Sequence, residues 1–337
     1  MKPDSATGKL EPDRAERANT DERRGTRDQA KLIVRVMRFV ALFVLLRPIV
    51  LLPYGLQLSI GRALGRLGYR VARQPRRIVH CNLQACFPEL SASALEDLER
   101  RHFEALGMSF VEMTFGWRGP EHRLRKRVEV VGLERYEAAR AEGRSIIFLT
   151  AHFTTMELCG IVLSMNVPNV YGVYRAYERN PLADTMAREG RMRAARGLIE
   201  RNDVLTMVRV LRDKHPLWFA SDQLVRPDKR SVIVPFFGVP CLVHGAVLDL
   251  ARLGEAVVFP LVSLRLPGGR YRVEVEAPFE NFPSGDAKAD LGRMMKRFEE
   301  HARKDPAQYM WVWRRFGRLP PEYPDIYRRP SSDAGCG

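Results

Sequence analysis

Residues 151 to 160 read AHFTTMELCG, with a histidine just past an apolar run and a glutamate five positions on. An imidazole with a carboxylate on one ring nitrogen has a fixed tautomer and a stabilised imidazolium, and its other nitrogen is free to take a proton. His152 and Glu157 are therefore candidates for a general base that would activate a hydroxyl for acyl transfer, provided the turn between them is tight enough for the carboxylate to reach back. Spacing alone says little. With 7 histidines and 40 acids, roughly one His-x4-acid is expected by chance. HGAVLD gives His244 and Asp249 the same spacing, on what reads as a continuous helix. Two further groups stand out. Asp222, in WFASDQ, ends an apolar run as His152 does, although an acid there is as often a cap or a turn residue. Arg191 sits among Arg188, Arg193 and Arg196; such a row is either a solvated helix face or a clamp for a phosphate or a developing oxyanion.

Periodicity supplies the elements that would position them. ASALEDLERRHFEALGMSFVEMTF (92 to 115) repeats its apolar residues at helical intervals. SIIFLTA (145 to 151) is short, apolar and follows a glycine, which predicts a buried strand ending at His152. A helix over 154 to 165, with Thr154 as its cap, would carry Glu157. NVYGVY (169 to 174) reads as a strand, 180 to 200 and 203 to 214 as helices, and PLWFASD (216 to 222) as a strand ending at Asp222. A helix over 247 to 254 leads to a strand over 256 to 264. RYRVEVEAP (270 to 278) alternates as a half-exposed strand would, and a helix over 289 to 306 ends at Pro306. Strands alternating with helices predict an α/β fold: a central mixed, largely parallel sheet flanked by helices. Ligands of such sheets bind beyond the carboxyl ends of the strands, so His152 and Asp222 could open on one crevice.

The chain has 337 residues and a formal charge of +15, which favours an anionic partner. Its five cysteines show no paired or zinc-type spacing, so free thiols in a reducing compartment are expected. Residues 1 to 31 carry almost no large apolar side chain and should form a disordered charged tail. From Phe39 to Ile60, FVALFVLLRPIVLLPYGLQLSI is long and apolar enough to span a bilayer, and residues 32 to 60 are expected to be an N-terminal hydrophobic membrane-anchor helix, kinked or lying in the membrane plane at Arg47-Pro48. Arginines outnumber acids just after it, which favours a cytoplasmic main domain held against anionic headgroups. Residues 61 to 329 would be the catalytic domain and 330 to 337 a flexible tail.

Several blocks, in order, resemble the late, acyl-carrier-protein-dependent acyltransferases of lipid A biosynthesis. They are RRIVHCNLQACFPELS (76 to 91), AHFTTMELCG (151 to 160), GVYRAYERNPLADTMAREGRMR (172 to 193), WFASDQ with RSVIVPFFG (218 to 238) and PAQYMWVWRRFGRLP (306 to 320). The resemblance implies His152 as base and Glu157 as its orienting acid, with Arg191 and Asp222 also catalytic. Arg175, Arg188, Arg193 and Arg230, in the same blocks, are expected to bind the substrate. It also implies acyl carrier protein as donor, an anionic lipid A precursor as acceptor, the bacterial inner membrane as location, and no cofactor or metal. Three positions depart from related patterns: Glu157 where glycerolipid acyltransferases carry aspartate, Trp313 where histidine is common, and His244 where small polar residues are common.

Rival readings are an acyltransferase for another glycolipid or aminolipid (phosphatidylinositol mannoside or ornithine-lipid type), which could use acyl-CoA, and a non-enzymatic basic membrane-binding protein. The latter accounts for the charge but not for His152 and Asp222 at two strand ends. No nucleic-acid-binding motif, nucleotide-binding glycine loop or G-x-S-x-G elbow occurs.

Overall fold

The computed structural model describes residues 48 to 177, 180 to 223 and 227 to 328. Three helices come first: α1 (Tyr54–Val71), α2 (Arg73–Cys86) and the long α3 (Ala92–Arg118). The hydroxyl of Ser91 caps α3 by accepting from the Ala94 N–H at 3.3 Å. Short α4 (Glu121–Arg125), β1 (Val128–Val131) and α5 (Leu133–Ala141) lead to β2 (Ser145–Thr150). Then α6 (Met156–Asn166), β3 (Tyr171–Tyr174), α7 (Pro181–Arg191), β4 (Gly197–Glu200), α8 (Val204–Arg212) and β5 (Leu217–Ala220) alternate. A hairpin of β6 (Ser231–Phe236) and β7 (Val239–His244) precedes α9 (Ala246–Leu253), β8 (Ala256–Leu266), β9 (Arg270–Val275) and α10 (Ala287–Lys304).

Seven strands form one sheet in the order β1-β9-β8-β2-β5-β3-β4. Every neighbouring pair is parallel except β8 with β9. This is the mixed, largely parallel sheet that the alternation predicted. All six residues of β2 are buried, as expected of a central strand with both faces covered. Two apolar clusters, one on each side of the sheet, share this strand: Ile147 and Leu149 belong to one, Ile146 and Phe148 to the other. The tight β6–β7 turn places Phe237 and Gly238 at φ 53° and 75°, the left-handed pair of a type I′ hairpin.

Only part of the expected N-terminal region lies among the described residues. Residues 1 to 47 lie outside the described residues, and with them the charged tail and most of the expected anchor. Of the rest of that anchor, Pro48–Leu51 form a 3-10 turn and Tyr54 to Ile60 begin α1, where Tyr54, Gln57 and Leu58 are buried against the domain. Among the described residues no helix is long and apolar enough to cross a membrane. Within the described part of the run, α1 turns one apolar face to α3. The two helices cross almost backbone to backbone: a Cβ on Gly65 would stand 2.2 Å from the Phe103 carbonyl oxygen, and one on Gly107 2.1 Å from that of Gly61. Tyr54 also closes a buried polar chain. Its hydroxyl lies 2.6 Å from that of Tyr271, which donates to Glu112 at 2.5 Å, and Glu112 pairs through both oxygens with Arg265. One network thus ties α1 and α3 to β8 and β9. The expected C-terminal tail, 330 to 337, lies outside the described residues.

Candidate active site

Strand register places the first two site residues. β2 and β5 are parallel neighbours with Thr150 opposite Ala220. Two residues beyond each strand end come His152 and Asp222, so the pairing delivers both side chains to one point on the carboxyl edge of the sheet. The Asp222 carboxylate accepts the backbone N–H of His152 at 3.0 and 3.1 Å and makes a short hydrogen bond with Nδ1 of its ring. The Tyr309 hydroxyl donates to the other carboxylate oxygen at 2.8 Å. All three residues are buried. Burial alone would raise the Asp222 pKa, but the adjacent His152, its hydrogen bonds and the Arg315 guanidinium together hold the carboxyl below its ordinary range. Burial and the facing Asp222 carboxylate push the Tyr309 phenol well up, so it stays a donor.

A strap over residues 306 to 316 fixes this arrangement. The Met310 N–H donates to the His152 carbonyl at 3.0 Å and the Thr154 N–H to the Gln308 carbonyl at 2.8 Å. Farther along, the Trp313 ring stands edge-on to the His152 ring, centroids 4.8 Å apart. Trp313 is half-exposed and roofs the imidazole, whereas Trp311 is fully buried. Phe236 of the hairpin packs on Tyr309 and Trp311 at 5.3 and 6.3 Å, buttressing the strap from below. Among the described residues nothing hydrogen-bonds Nε2 of His152, which leaves it as the ring's open nitrogen.

Glu157 does something other than orient His152. Its carboxylate forms a two-pronged ion pair with Arg191: Nε donates at 3.1 Å, and one terminal nitrogen makes a shorter bond. Helix α6 starts at Met156, after Thr155 as N-cap, so Glu157 lies on its first turn, facing the end of α7 rather than the imidazole. The turn between them is tight, with the Met156 N–H donating to the Phe153 carbonyl at 3.0 Å, but the Glu157 carboxylate does not reach the imidazole, and a neighbouring strand supplies the histidine's carboxylate. Burial works against the Arg191 charge, but Glu157 outweighs it and holds the guanidinium more firmly protonated than usual. The expected cap also shifts by one: the Thr155 hydroxyl turns to the Ser263 carbonyl and hydroxyl, and the buried Thr154 hydroxyl has no hydrogen-bond partner among the described residues.

The remaining arginines scatter. Arg188 donates to the Tyr174 hydroxyl at 3.0 Å, Arg193 to the Gly116 carbonyl at 3.0 Å, and Arg175 is exposed. Arg230 pairs with Asp249 at 3.4 Å beside the hairpin. His244 does not share a helix with Asp249 as expected: it is the last residue of β7, ahead of α9, and bonds Asp228 at 3.0 Å. Among the described residues no group of three His, Cys, Asp or Glu side chains could hold a metal ion.

Comparison with known proteins places this chain in a family. The family model of the bacterial lipid A biosynthesis acyltransferases matches residues 26 to 318. The chain belongs to that family. It is 34% identical to the lipid A biosynthesis lauroyltransferase of Escherichia coli K12 over 281 residues, 83% of this chain and 91% of the relative. It is 31% identical over 287 residues to a lipid A biosynthesis acyltransferase of Haemophilus influenzae, with the same coverage. The lipid A biosynthesis palmitoleoyltransferase of Escherichia coli K12 is 30% identical over 279 residues, 82% of this chain and 90% of the relative. The chain is therefore an acyltransferase of lipid A biosynthesis.

Two residues of the acyltransferase's site had no role in the sequence reading. Tyr309 and Arg315 lie in the quoted block PAQYMWVWRRF, but only the folded strap brings them to Asp222. Arg315 is buried and bonded to the Leu242 carbonyl at 3.4 Å. Burial opposes its charge, yet Cys241, Tyr309 and Asp222 more than offset this and keep it protonated. A buried guanidinium needs a negative partner, and the arginine pair of that block was the available signal.

Proposed function

We propose that the chain transfers a fatty acyl group from acyl carrier protein to the hydroxyl of a 3-hydroxyacyl chain on a Kdo-bearing lipid A precursor. Nε2 of His152 takes the hydroxyl proton as the oxygen attacks the thioester carbonyl. The tetrahedral intermediate collapses, the carbon–sulfur bond breaks, and the imidazolium returns its proton to the leaving thiolate. Asp222 holds the ring through Nδ1 and stabilises the imidazolium, as a buried acid does in hydrolytic triads. Glu157 holds Arg191 in place, where the guanidinium stabilises the developing oxyanion or an anionic substrate group. The observation that carries the reading is the buried His152–Asp222 pair, with one ring nitrogen open, in a chain of this family.

The acyltransferase works at the cytoplasmic face of the bacterial inner membrane. Support comes from the outer face of α1, where Leu56, Ile60, Leu64, Leu67 and Val71 recur at helical spacing. Leu67 and Val71 are 55% and 67% exposed, and Arg62 and Arg70 lie exposed among them. A helix apolar outside as well as inside, with arginines between, suits an interfacial seat on anionic lipid. Its inner face meets the turn after β8, where Leu58 approaches Gly269. That turn lies beyond the carboxyl edge of the sheet, the edge that also carries His152.

The deciding experiment is acyl transfer from a panel of acyl-carrier-protein thioesters to Kdo2-lipid IVA in detergent, with His152→Ala alongside. Transfer by the wild type and its near loss in the variant are expected. Undiminished transfer by His152→Ala would remove the proposed base. No transfer by folded wild type would point to another donor or acceptor.

A further inference from the structure

A cleft of about 160 Å³ opens between the first turns of α2 and the end of the strap, lined by Arg73, Gln74, Arg77, Arg314 and Tyr327 among others. Three of these are arginines, and none of the lining residues is acidic. Among the described residues, no carboxylate lies within ion-pairing distance of any of the three guanidiniums. Arg77 spends one donor on the Tyr327 carbonyl at 2.8 Å. Arg314 lies over the Tyr327 ring, 5.3 Å from its centroid. The nearby carboxylate of Asp325 accepts the Tyr327 N–H at 2.9 Å. By contrast, Arg265 and Arg191 are paired with Glu112 and Glu157. Here Arg73 and Arg314 are exposed and Arg77 is half-buried, so water screens their repulsion, but three like charges share one small concavity and, among the described residues, most of their donors are free to meet an anion. The first turn of α2 contains no acid, and no side chain caps it, so the positive end of the helix adds to the field.

We propose that this cleft binds a phosphate ester of one of the two substrates. Its connection to the site is covalent and short. Arg314 directly follows Trp313, the ring that roofs His152. Asn82, on the same helix as Arg73 and Arg77, donates to the carbonyls of Trp311 and Trp313 at 2.7 and 2.8 Å. A phosphate held here is fastened to the strap that shapes the base's surroundings. Two phosphate esters are available under the proposed reaction: a phosphate monoester on the glycolipid acceptor, or the phosphodiester of the pantetheine arm that carries the donor's thioester. The inference rests on that reaction, but its test is a binding measurement that needs no turnover, so either can fail alone.

The test compares the full-length wild type with Arg73→Gln/Arg314→Gln, and with Arg140→Gln/Arg144→Gln as a control for net charge, in detergent. Dissociation constants are measured for Kdo2-lipid IVA, for its enzymatically dephosphorylated form, and for carrier protein with and without the pantetheine arm. The cleft variant should lose about ten-fold or more in affinity for one phosphate-bearing ligand, as expected when charge-assisted hydrogen bonds are removed. It should bind the matching phosphate-free ligand as the wild type does. Selective loss for the phosphorylated glycolipid assigns the cleft to the acceptor, and selective loss for the armed carrier assigns it to the donor. Equal loss for carrier protein without its arm would overturn the proposal in favour of a surface for an acidic protein. Unchanged affinities throughout, or the same loss in the control variant, would also overturn it.

Discussion

At the residue scale, the arrangement separates two carboxylates that sequence spacing would fuse into one role. Asp222 touches His152, the proposed base, and Glu157 touches Arg191. Their substitutions should therefore combine differently with loss of the base. Asp222→Asn removes the charge that stabilises the imidazolium and should lower kcat by roughly 10²–10⁴-fold. In a His152→Ala background the same change should add almost nothing, because the group it serves is gone. Glu157→Gln leaves the imidazole's partner in place and frees Arg191, so its loss should persist in the His152→Ala background. This double-mutant cycle, read as residual acyl transfer, apportions the carboxylates. Additive effects of Asp222→Asn and His152→Ala would mean that the two do not act as a unit. The strand ends that carry His152 and Asp222 were legible, because apolar runs closing on a titratable group are local patterns. Their pairing was not. It depends on β2 and β5 being neighbours in a given register, a long-range property that no spacing within either segment encodes.

Element by element, the buried runs and long helices were legible and the short edges were not. β1 and β4 are short strands at the two edges of the sheet, and β4 falls where helical spacing appeared to continue past Arg191. The helix there stops because a second strand must return to the sheet beside β3. Helix α3 shows how an element can carry a titration of its own. His102 is fully buried on it; its Nδ1 meets the Ala307 carbonyl at 2.9 Å at the root of the strap, and among the described residues it has no ion-pair partner and its Nε2 no hydrogen-bond partner. Burial, partly opposed by that hydrogen bond, lowers its pKa from 6.5 to about 4. The unfolded chain therefore binds a proton that the folded chain refuses between those values, and stability falls as pH drops through that window. The full effect is about 3 kcal/mol. Chemical denaturation at pH 7 and pH 4.5 should show His102→Gln losing about 2–3 kcal/mol less than the wild type. Equal losses would mean that His102 is already protonated in the fold or becomes hydrated.

For the whole molecule, the question is which surface meets the lipid that holds the acceptor. The charge of +15 makes anionic membrane attractive to any face, so charge does not choose among them. Apolar exposure does. The outer row of α1 presents Leu56, Leu67 and Val71 to solvent on a helix whose inner row is already spent on α3. Moving each such side chain from water into the acyl boundary is worth roughly 1–2 kcal/mol when burial is partial. Leu56→Ser/Leu67→Ser/Val71→Ser should then weaken binding to phosphatidylglycerol-containing vesicles by about 10²-fold or more, as read by flotation at fixed protein and rising lipid. Raised salt should weaken both proteins, because the arginines contribute, yet the gap between them should remain, since the apolar term is not screened. The fold should be unchanged, because none of the three side chains is buried. Wild-type flotation by the triple variant would assign attachment to residues 32 to 47 instead, and α1 would then be a scaffold helix whose exposed leucines meet only water. Loss of flotation together with retained transfer to detergent-dispersed acceptor would tie α1 to membrane delivery rather than to chemistry, as its place beside, and not within, the His152 site requires.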